Sequence, residues 1–306
     1  MQRMIVRRLL SVPPTLFLVV TLAFFLMRLA PGGPFNLARP LDPKVMENLQ
    51  RIYQLDQPLW RQYLSYLASL LHGDLGPSFY WRDFTVSELF ARALPISAFL
   101  GASALTLALV VGGAAGALAA MRQRSWLDHL VTAGASLGVT VPNFVVAPLL
   151  QLFFGLSLKW LPVGGWGEGG ARYLVLPIVT LALPQVAAVA RLTRVAMIEA
   201  LNANPARTLR AYGLPSRVVL KHALRAALIP VVSYIGPAAA ALMTGSVVVE
   251  NIFGIPGVGR YFIDGALNRD YTLVMGAVIV VAALILAFNL IVDLAYAFID
   301  PRVRHE

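Results

Sequence analysis

The sequence lacks the residues on which several kinds of site depend. It contains no cysteine, which excludes disulfides, thiolate metal sites and cysteine nucleophiles. The four histidines are far apart and form no ligand-spaced pair, so we expect no intrinsic metal site: His72, His129, His222 and His305. None of the three lysines follows a glycine, which excludes a G-K-[ST] phosphate-binding loop: Lys44, Lys159 and Lys221. If ATP drives this protein, another chain must bind the nucleotide.

Charge is also scarce, whereas apolar residues are abundant. Only 13% of the 306 residues are charged and 58% are hydrophobic, while soluble domains have about 25% charged residues. A membrane-spanning helix needs about 20 apolar residues, and six stretches reach that length: 9–29, 94–120, 129–156, 173–194, 227–250 and 272–299. The first is longer than the apolar run of a signal peptide, so we expect it to be retained as a span. The sequence predicts an all-α membrane protein with six transmembrane helices in a lipid bilayer.

The net charge of +10 is explained by topology. If both termini are cytoplasmic, the inside segments carry 14 Lys and Arg residues and the short outside loops carry four. This bias follows the positive-inside rule and predicts that both ends are cytoplasmic. It accounts for much of the basic charge without a nucleic-acid partner, and we expect none.

One long segment does not fit a membrane. Residues 31–93 hold six basic and six acidic residues with aromatics between them. Helical spacing is present at 43–55 and 58–71, and in the second stretch one apolar face contains Leu59, Tyr63, Tyr66, Leu67 and Leu70. We therefore predict three parts: residues 1–30 with the first helix, an external helical subdomain over 31–93, and a five-helix core over 94–306.

The predicted spans contain few ionisable residues. Apart from Arg191 and Arg194, which end the fourth span and are counted with the inside charges, the few charged residues are Arg28, Glu250 and Asp293. They offer little to couple an ion gradient, which disfavours a gradient-driven secondary transporter. A membrane-embedded hydrolase would need a Ser/His pair or two close Asp residues, and no such pair is found. Prolines that kink the helices leave room for a central path. Five polar residues are candidates to line it, although each could equally form a helix contact: Asn143, Gln151, Gln185, Thr244 and Ser246.

The loop between the fourth and fifth spans has a pattern of its own. Residues 191–225 carry seven basic residues and one acid, Glu199, which alone could be a topology signal. Within the loop, a short helix over 206–212 follows Pro205, and Gly213 suits a left-handed C-cap. A second helix restarts at Pro215. The pattern predicts a short helix held between two long ones.

At these residues the chain resembles the coupling loop of ABC importer permeases. The runs R-T-L-R-A-Y-G over 207–213 and H-A-L-R-A-A-L-I-P over 222–230 are similar to R-T-A-R-A-K-G and H-A-L-R-N-A-L-x-P of the dipeptide/oligopeptide/nickel branch. The departures are Leu209, Tyr212 and Ala226. Further stretches fall in the family's order: R-L-A-P-G at 28–32, L-D-Q-P-L at 55–59, G-D-L-G at 73–76, I-P-G-V-G-R at 255–260, N-R-D-Y at 268–271 and D-P-R at 300–302. The chain resembles the first of the two permease subunits over nearly its whole length.

The resemblance implies a type I importer permease in a bacterial or archaeal plasma (inner) membrane. Its expected partners are a second homologous permease subunit, two ATPase subunits that bind ATP and Mg, and an external substrate-binding protein. This chain would supply half of the translocation path, no catalytic residue and no cofactor site. Di- or oligopeptides are the expected substrates, with nickel complexes or oligosaccharides as alternatives within the family.

The resemblance also implies two groups of site residues. The expected ATPase-coupling residues are Ala206, Arg207, Thr208, Leu209, Arg210, Ala211, Tyr212, Gly213, Leu214 and Arg217. The expected outer gate or binding-protein contact consists of Glu250, Ile255, Pro256 and Gly257.

Overall fold

The computed structural model describes residues 2–29, 55–81, 83–167 and 170–299. Over these ranges the chain is helical, and the one strand-like pairing among the described residues is an antiparallel bridge between Pro77 and Thr85. The α-helices are α1 Gln2–Leu29, α2 Leu59–Leu71, α3 Val86–Leu107, α4 Gly113–Met121, α5 Trp126–Thr140, α6 Asn143–Leu150, α7 Ala171–Asn202, α8 Asn204–Ala211, α9 Ser216–Phe253, α10 Val258–Leu267 and α11 Tyr271–Ile299. Two π-helical segments, Ala108–Gly112 and Gln151–Ser157, continue α3 and α6.

The helices confirm a multi-pass membrane protein. Five of the described helices are long and apolar enough to cross a membrane, and the number rises to seven if each of two bent helix pairs counts as one span. Five of the six predicted spans fall on four of these helices and on the bent pair formed by α5 and α6 with its π-helical extension. The predicted span over 227–250 lies within α9, where it begins in the apolar segment 216–236 and continues into the second bent pair at 238–253.

The predicted span over 129–156 is interrupted at Pro142, one of the prolines expected to kink the helices. The chain bends by 106° between α5, which ends at Thr140, and the helix that begins at Asn143. Pro142 is the cause, because a proline disfavours helical geometry in the residue before it. Accordingly Val141 is extended, with φ −80° and ψ 120°. This stretch is a broken span or a re-entrant loop.

The fourth and fifth predicted spans belong to helices longer than a membrane is thick. α7 has 32 residues and α9 has 38, which correspond to about 48 and 57 Å at 1.5 Å per residue. The hydrocarbon core is only about 30 Å thick. The predicted loop over 191–225 is therefore mostly helix: the end of α7, all of α8 and the beginning of α9.

The helical part of the chain divides into two compact units. The first unit contains residues 1–9, 98–255 and 284–306, and the second contains 10–97 and 256–283. The three-part division expected from the sequence stays a prediction.

In the first unit, α7 packs against α4, α5 and α9. The approach of α4 to α7 depends on glycine: a Cβ at Gly112 would lie 2.6 Å from the carbonyl oxygen of Val186, and one at Gly116 would lie 2.8 Å from the Cβ of Thr193. α5 approaches the same helix at Gly138, where a Cβ would lie 2.9 Å from the Cβ of Ala187. Small residues let helix backbones approach closely in membranes.

In the second unit, the predicted helix over 58–71 is confirmed as α2, whereas the helix expected over 43–55 lies outside the described residues. The rings of Tyr63 and Tyr66 on α2 pack against Phe24 of α1, with ring centroids 5.2 and 6.0 Å apart; the Tyr63 ring meets Phe24 edge to face. Leu59, placed on the same face by its spacing, is 52% exposed. The buried residue of α2 is Gln62, which accepts a hydrogen bond from the Arg28 Nε at 2.9 Å.

A second buried polar centre, Asp270, fixes the start of α11 within this unit. Its carboxylate accepts hydrogen bonds from the Ser78 hydroxyl, at 2.5 Å, and from the Tyr80 backbone N–H, at 3.0 Å. It also accepts from the Thr272 hydroxyl and the Leu273 backbone N–H, at 2.9 and 3.1 Å. Four donors compensate for the burial of this acid, which is 0% exposed.

Candidate functional site

The short helix α8 connects the two longest helices that pack on each other, α7 and α9. Pro205 lies in its first turn, where the missing N–H has no helical partner to lose. The helix ends in a left-handed turn at Gly213, whose φ is +71°, and the Leu214 N–H returns to the carbonyl oxygen of Leu209 at 3.2 Å. Pro215 then precedes α9 directly. The structure confirms the short helix, its cap and the restart that the sequence predicts.

The residues expected to couple the chain to an ATPase lie together on α8 and its following turn. Ala206 is 4% exposed and is the one member buried against the protein, and Leu209 is half-buried. The other eight are exposed: Arg207, Thr208, Arg210, Ala211, Tyr212, Gly213, Leu214 and Arg217. Tyr212 is 79% exposed, which is high for an aromatic side chain. The segment therefore presents arginines, an aromatic ring and a leucine on one accessible surface.

A small hydrophobic core joins the helices on either side of α8. Its buried members come from the end of α4, from α7 and from the start of α9: Ala120, Ala196, Met197, Ala223 and Ala227. α8 also contacts both α7 and α9. Since Met197 lies five residues before the end of α7, the helix that leads into α8 is packed almost to its last turn.

An ion pair that the sequence analysis missed joins α5 to α7. The Arg194 Nε lies 2.5 Å from Oδ1 of Asp128, and its Nη2 lies 2.9 Å from Oδ2. Asp128 is 3% exposed and also accepts the Arg124 backbone N–H at 3.0 Å. Arg194 is counted among the topology charges in the sequence, and Asp128 lies one residue before the predicted third span. A helix-capping serine followed three residues later by an acid, Ser125 and Asp128, is the signal that could have drawn attention to this position.

The residues predicted to line a path have different environments. Gln151 donates from Nε2 to the carbonyl oxygens of Val163 and Ile252, at 2.7 and 3.3 Å, and so joins the π-helical segment to a loop and to α9. Gln185 is buried and accepts the Tyr234 hydroxyl at 2.9 Å. Both amides therefore make contacts between segments of the first unit, which is the alternative that the sequence leaves open for them.

The other three path candidates lie on α6 and α9. Asn143 is half-buried at the start of α6, and its Oδ1 has no hydrogen-bond partner among the described residues. Ser246 is buried on α9. Thr244 lies on the same helix, and its side chain is outside the described part of the structure. A role in a path stays a prediction for all five residues.

The residues predicted for an outer gate surround the C-terminal cap of α9. Glu250 and Ile255 are both 0% exposed, and the Ile255 N–H donates to the Glu250 carbonyl oxygen at 2.8 Å. Between them Gly254 has φ +67°, which gives the helix a left-handed cap. Pro256 is half-buried, and Gly257 is buried at the N-cap of α10. These residues form a tight turn, and their role as a gate or contact stays a prediction.

Comparison with known proteins identifies the family. Residues 112–305 match the family described as binding-protein-dependent transport system inner membrane component, and residues 1–80 match the family of its N-terminal region. The oligopeptide transport system permease protein OppB of Salmonella typhimurium is 50% identical over 306 residues, which is 100% of both chains. OppB of Escherichia coli K12 has the same identity and coverage. The dipeptide transport system permease protein DppB of Bacillus subtilis is 39% identical over 305 residues, 99% of this chain and 98% of its own.

These similarities confirm the resemblance found in the sequence, and they extend from end to end of the chain. Each relative is named as a permease protein, which confirms the expectation of a non-catalytic transport subunit. Together with the apolar helices, the family match establishes the localisation. The chain belongs to the family of binding-protein-dependent transport system inner membrane components, the permeases of ABC importers, and is a multi-pass protein of the bacterial inner membrane.

Proposed function

We propose that this chain forms half of the translocation path of an importer of di- or oligopeptides, and that separate ATPase subunits drive it through α8. The peptide substrate is suggested by the relatives named for oligopeptide and dipeptide transport. A second permease subunit completes the path, and an external binding protein delivers the substrate. The single observation that carries the coupling role is the exposed basic surface of α8, backed by a packed core.

The orientation follows from the same surface. If α8 faces the cytoplasm, both termini of the chain do so as well, in agreement with the distribution of basic residues. Arg122 and Arg124, in the turn between α4 and α5, then lie on the same side of the membrane as α8. We therefore place the turn over 122–125, α8 and the start of α9 on the ATPase side.

The charge of the surface specifies the kind of groove that receives it. Arg207, Arg210 and Arg217 are exposed, and so are Lys221 and Arg225 on the first turns of α9. Positive and negative surfaces are matched across protein interfaces, because like charges placed face to face cost several kcal/mol. We expect the receiving groove of the ATPase subunit to be lined with Asp and Glu, and to hold Tyr212 and Leu214 on an apolar floor.

The first experiment isolates the complex from its own membrane. The tagged chain is solubilised gently, and the proteins that accompany it are identified by mass spectrometry. A second six-span permease and ATPase chains are the expected companions. Recovery of the chain as a homo-oligomer that transports without ATPases would contradict the proposal.

The second experiment tests the basic surface with a matched pair of variants. In one variant Arg207, Arg210 and Arg217 are all replaced by Asp, and in the other all three are replaced by Lys, which keeps the charge. The Asp variant should lose ATPase association and ATP-dependent uptake by at least about tenfold, since reversing the charge at an interface costs several kcal/mol. The Lys variant should retain most of both. Equal uptake by the two variants would rule out charge-matched coupling through α8.

The substrate is tested with the reconstituted complex and its binding protein in proteoliposomes. Uptake of a labelled tetrapeptide should require ATP and should be reduced by excess unlabelled di- or oligopeptide. A nickel complex and an oligosaccharide serve as the competing alternatives from the same family. If excess peptide does not reduce uptake and one of these two competitors is itself taken up, the proposed substrate is wrong and the permease role stands.

A further inference from the structure

The ion pair between Asp128 and Arg194 occupies the position where three segments of the first unit meet. Asp128 is the third residue of α5, and its backbone N–H is capped by the Ser125 hydroxyl at 3.4 Å. Its carboxylate accepts two N–H groups of Arg194 on α7 and one from the backbone of Arg124. One buried acid thus holds the turn over 122–125, the start of α5 and the last third of α7.

The turn held by this acid has an uncommon conformation. Arg124 has φ +61°, a left-handed value that non-glycine residues rarely adopt because it crowds the Cβ. The hydrogen bond from its N–H to Asp128 stabilises this conformation. Because the same carboxylate is bound in bidentate fashion by Arg194, the shape of the turn depends on the position of α7.

The pair is the last of a row of close contacts between α7 and its neighbours. On α5, Gly138 meets Ala187, and ten residues earlier Asp128 meets Arg194. On α4, Gly116 lies against Thr193 and the backbone of Arg194 itself. Arg194 is eight residues, or about 12 Å, from the end of α7, after which α8 begins at Asn204.

From this arrangement we infer that Asp128 and Arg194 are positioning residues for coupling: they lock α5 to α7, so that a displacement of α8 moves α5 as well. The inference rests on the proposed role of α8. In this arrangement α4, α5, α7 and α8 move as one rigid element. The motion passes from α5 to α6 at the bend of 106° between them. An ion pair that only stabilised the fold would affect the amount of folded complex and not the amount of substrate transported per ATP hydrolysed.

The inference is tested on the complex purified through this chain and reconstituted with its partners. Asp128→Ala and Arg194→Ala should each lower the amount of substrate transported per ATP hydrolysed by about tenfold, the effect of 1.4 kcal/mol on an equilibrium. ATPase association should remain, because α8 is unchanged. Arg194→Lys, which keeps the charge but loses the bidentate geometry, should fall between these variants and the native chain.

A distance measurement separates positioning from mere stabilisation. Since the native sequence has no cysteine, His129→Cys on α5 and Ala203→Cys before α8 give two unique and exposed sites for spin labels. With the pair intact, the distance between the labels should stay within about 2 Å when nucleotide is added, as expected for packed helices. In the Asp128→Ala background the distance should change or broaden with nucleotide.

The outcomes distinguish this inference from the proposed function. If ATPases fail to accompany the native chain, the proposed function fails. If they do accompany it, and Asp128→Ala transports as much substrate per ATP as the native chain, this inference alone is overturned. The same holds if the label distance changes equally with nucleotide in the native and Asp128→Ala backgrounds. A charge exchange, Asp128→Arg with Arg194→Asp, that restores transport per ATP above either single variant would support the pair as the cause.

Discussion

Two glycines three residues apart on α4 allow a direct test of how tightly α4 and α7 are packed. A Cβ at Gly116 would clash with the carbonyl oxygen of Ala190 and would lie 3.0 Å from the backbone nitrogen of Arg194. A Cβ at Gly113 would have no heavy atom within 4 Å. The atoms in the way at Gly116 include helix backbone, which cannot rotate aside as a side chain can. Gly116→Ala must therefore push the two helices apart.

The two substitutions should have opposite signs. Inserting a methyl group into a packed contact costs about 1–3 kcal/mol. Replacing an unhindered helical glycine by alanine contributes up to about 1 kcal/mol in favour of the helix. Because both alanines gain this contribution, Gly116→Ala and Gly113→Ala should differ in the free energy of unfolding by the cost of the packed contact, about 1–3 kcal/mol. Gly112→Ala should resemble Gly116→Ala, because its Cβ would lie 2.6 Å from the Val186 carbonyl oxygen.

The assay is thermal unfolding of each variant in one detergent, followed by the loss of the monodisperse peak on size exclusion. In domains of 150–250 residues about 1 kcal/mol shifts the melting temperature by roughly 2–4 °C, so the two variants should be separated by roughly 2–12 °C. Gly113→Ala provides the control, since it also replaces a glycine of α4 by alanine. A Gly116→Ala protein that melts with or above the Gly113→Ala protein would show that the close approach of α4 to α7 is wrong.

Three further predictions concern other parts of the chain. Asp270→Ala should destabilise the second unit by about 2–4 kcal/mol, because it leaves the donors of Ser78, Tyr80 and Leu273 without this acceptor. Limited proteolysis should show faster cleavage in that unit than in the native chain. Gly254→Ala should lower the free energy of unfolding by about 1–2 kcal/mol, because the backbone φ of +67° is strained for alanine. Gly113→Ala again serves as the unstrained control in the same melting assay. Burial raises the pKa of Tyr66 to about 12 from about 10, so the folded state favours the neutral phenol. The contribution of the neutral Tyr66 side chain to stability is therefore complete below pH 10 and is lost as the pH rises towards 12. Tyr66→Phe should therefore resist alkaline unfolding over this interval better than the native chain, and equal alkaline midpoints would contradict the burial of its hydroxyl group.

Local signals in the sequence were sufficient for much of the fold. Apolar length located the helices, and the proline and glycine around α8 located its start and its cap, because those residues act through their own backbone geometry. The face of α2 was predicted less well. Its apolar spacing favoured Leu59, whereas the structure buries Gln62, since the partner of that face is the Arg28 side chain rather than hydrocarbon alone.

Features that depend on distant segments could not be predicted in this way. The sequence marks Pro142 as a helix breaker, but nothing near it specifies a bend of 106° instead of a small kink. Likewise Asp128 and Arg194 are 66 positions apart, and each has an ordinary local explanation, one as a helix-start acid and the other as a topology charge. Only the antiparallel packing of α5 on α7 brings them together, so their role becomes visible in three dimensions alone.

Under the proposed coupling role of α8, the dimensions of α7 give its packing a direct effect on transport. Over about 48 Å, a tilt of roughly 10° at one end of the helix would displace the other end by about 8 Å, provided that the helix moves as a rigid rod. Voids along its neighbours would absorb such a movement before it reached the path. The contacts at Gly112, Gly116 and Gly138 leave no such voids, because even a methyl group does not fit there. If α8 couples the chain to an ATPase as proposed, close packing by glycine and the ion pair near the α8 end have one mechanical consequence: a small movement at α8 would be transmitted through the first unit with little loss.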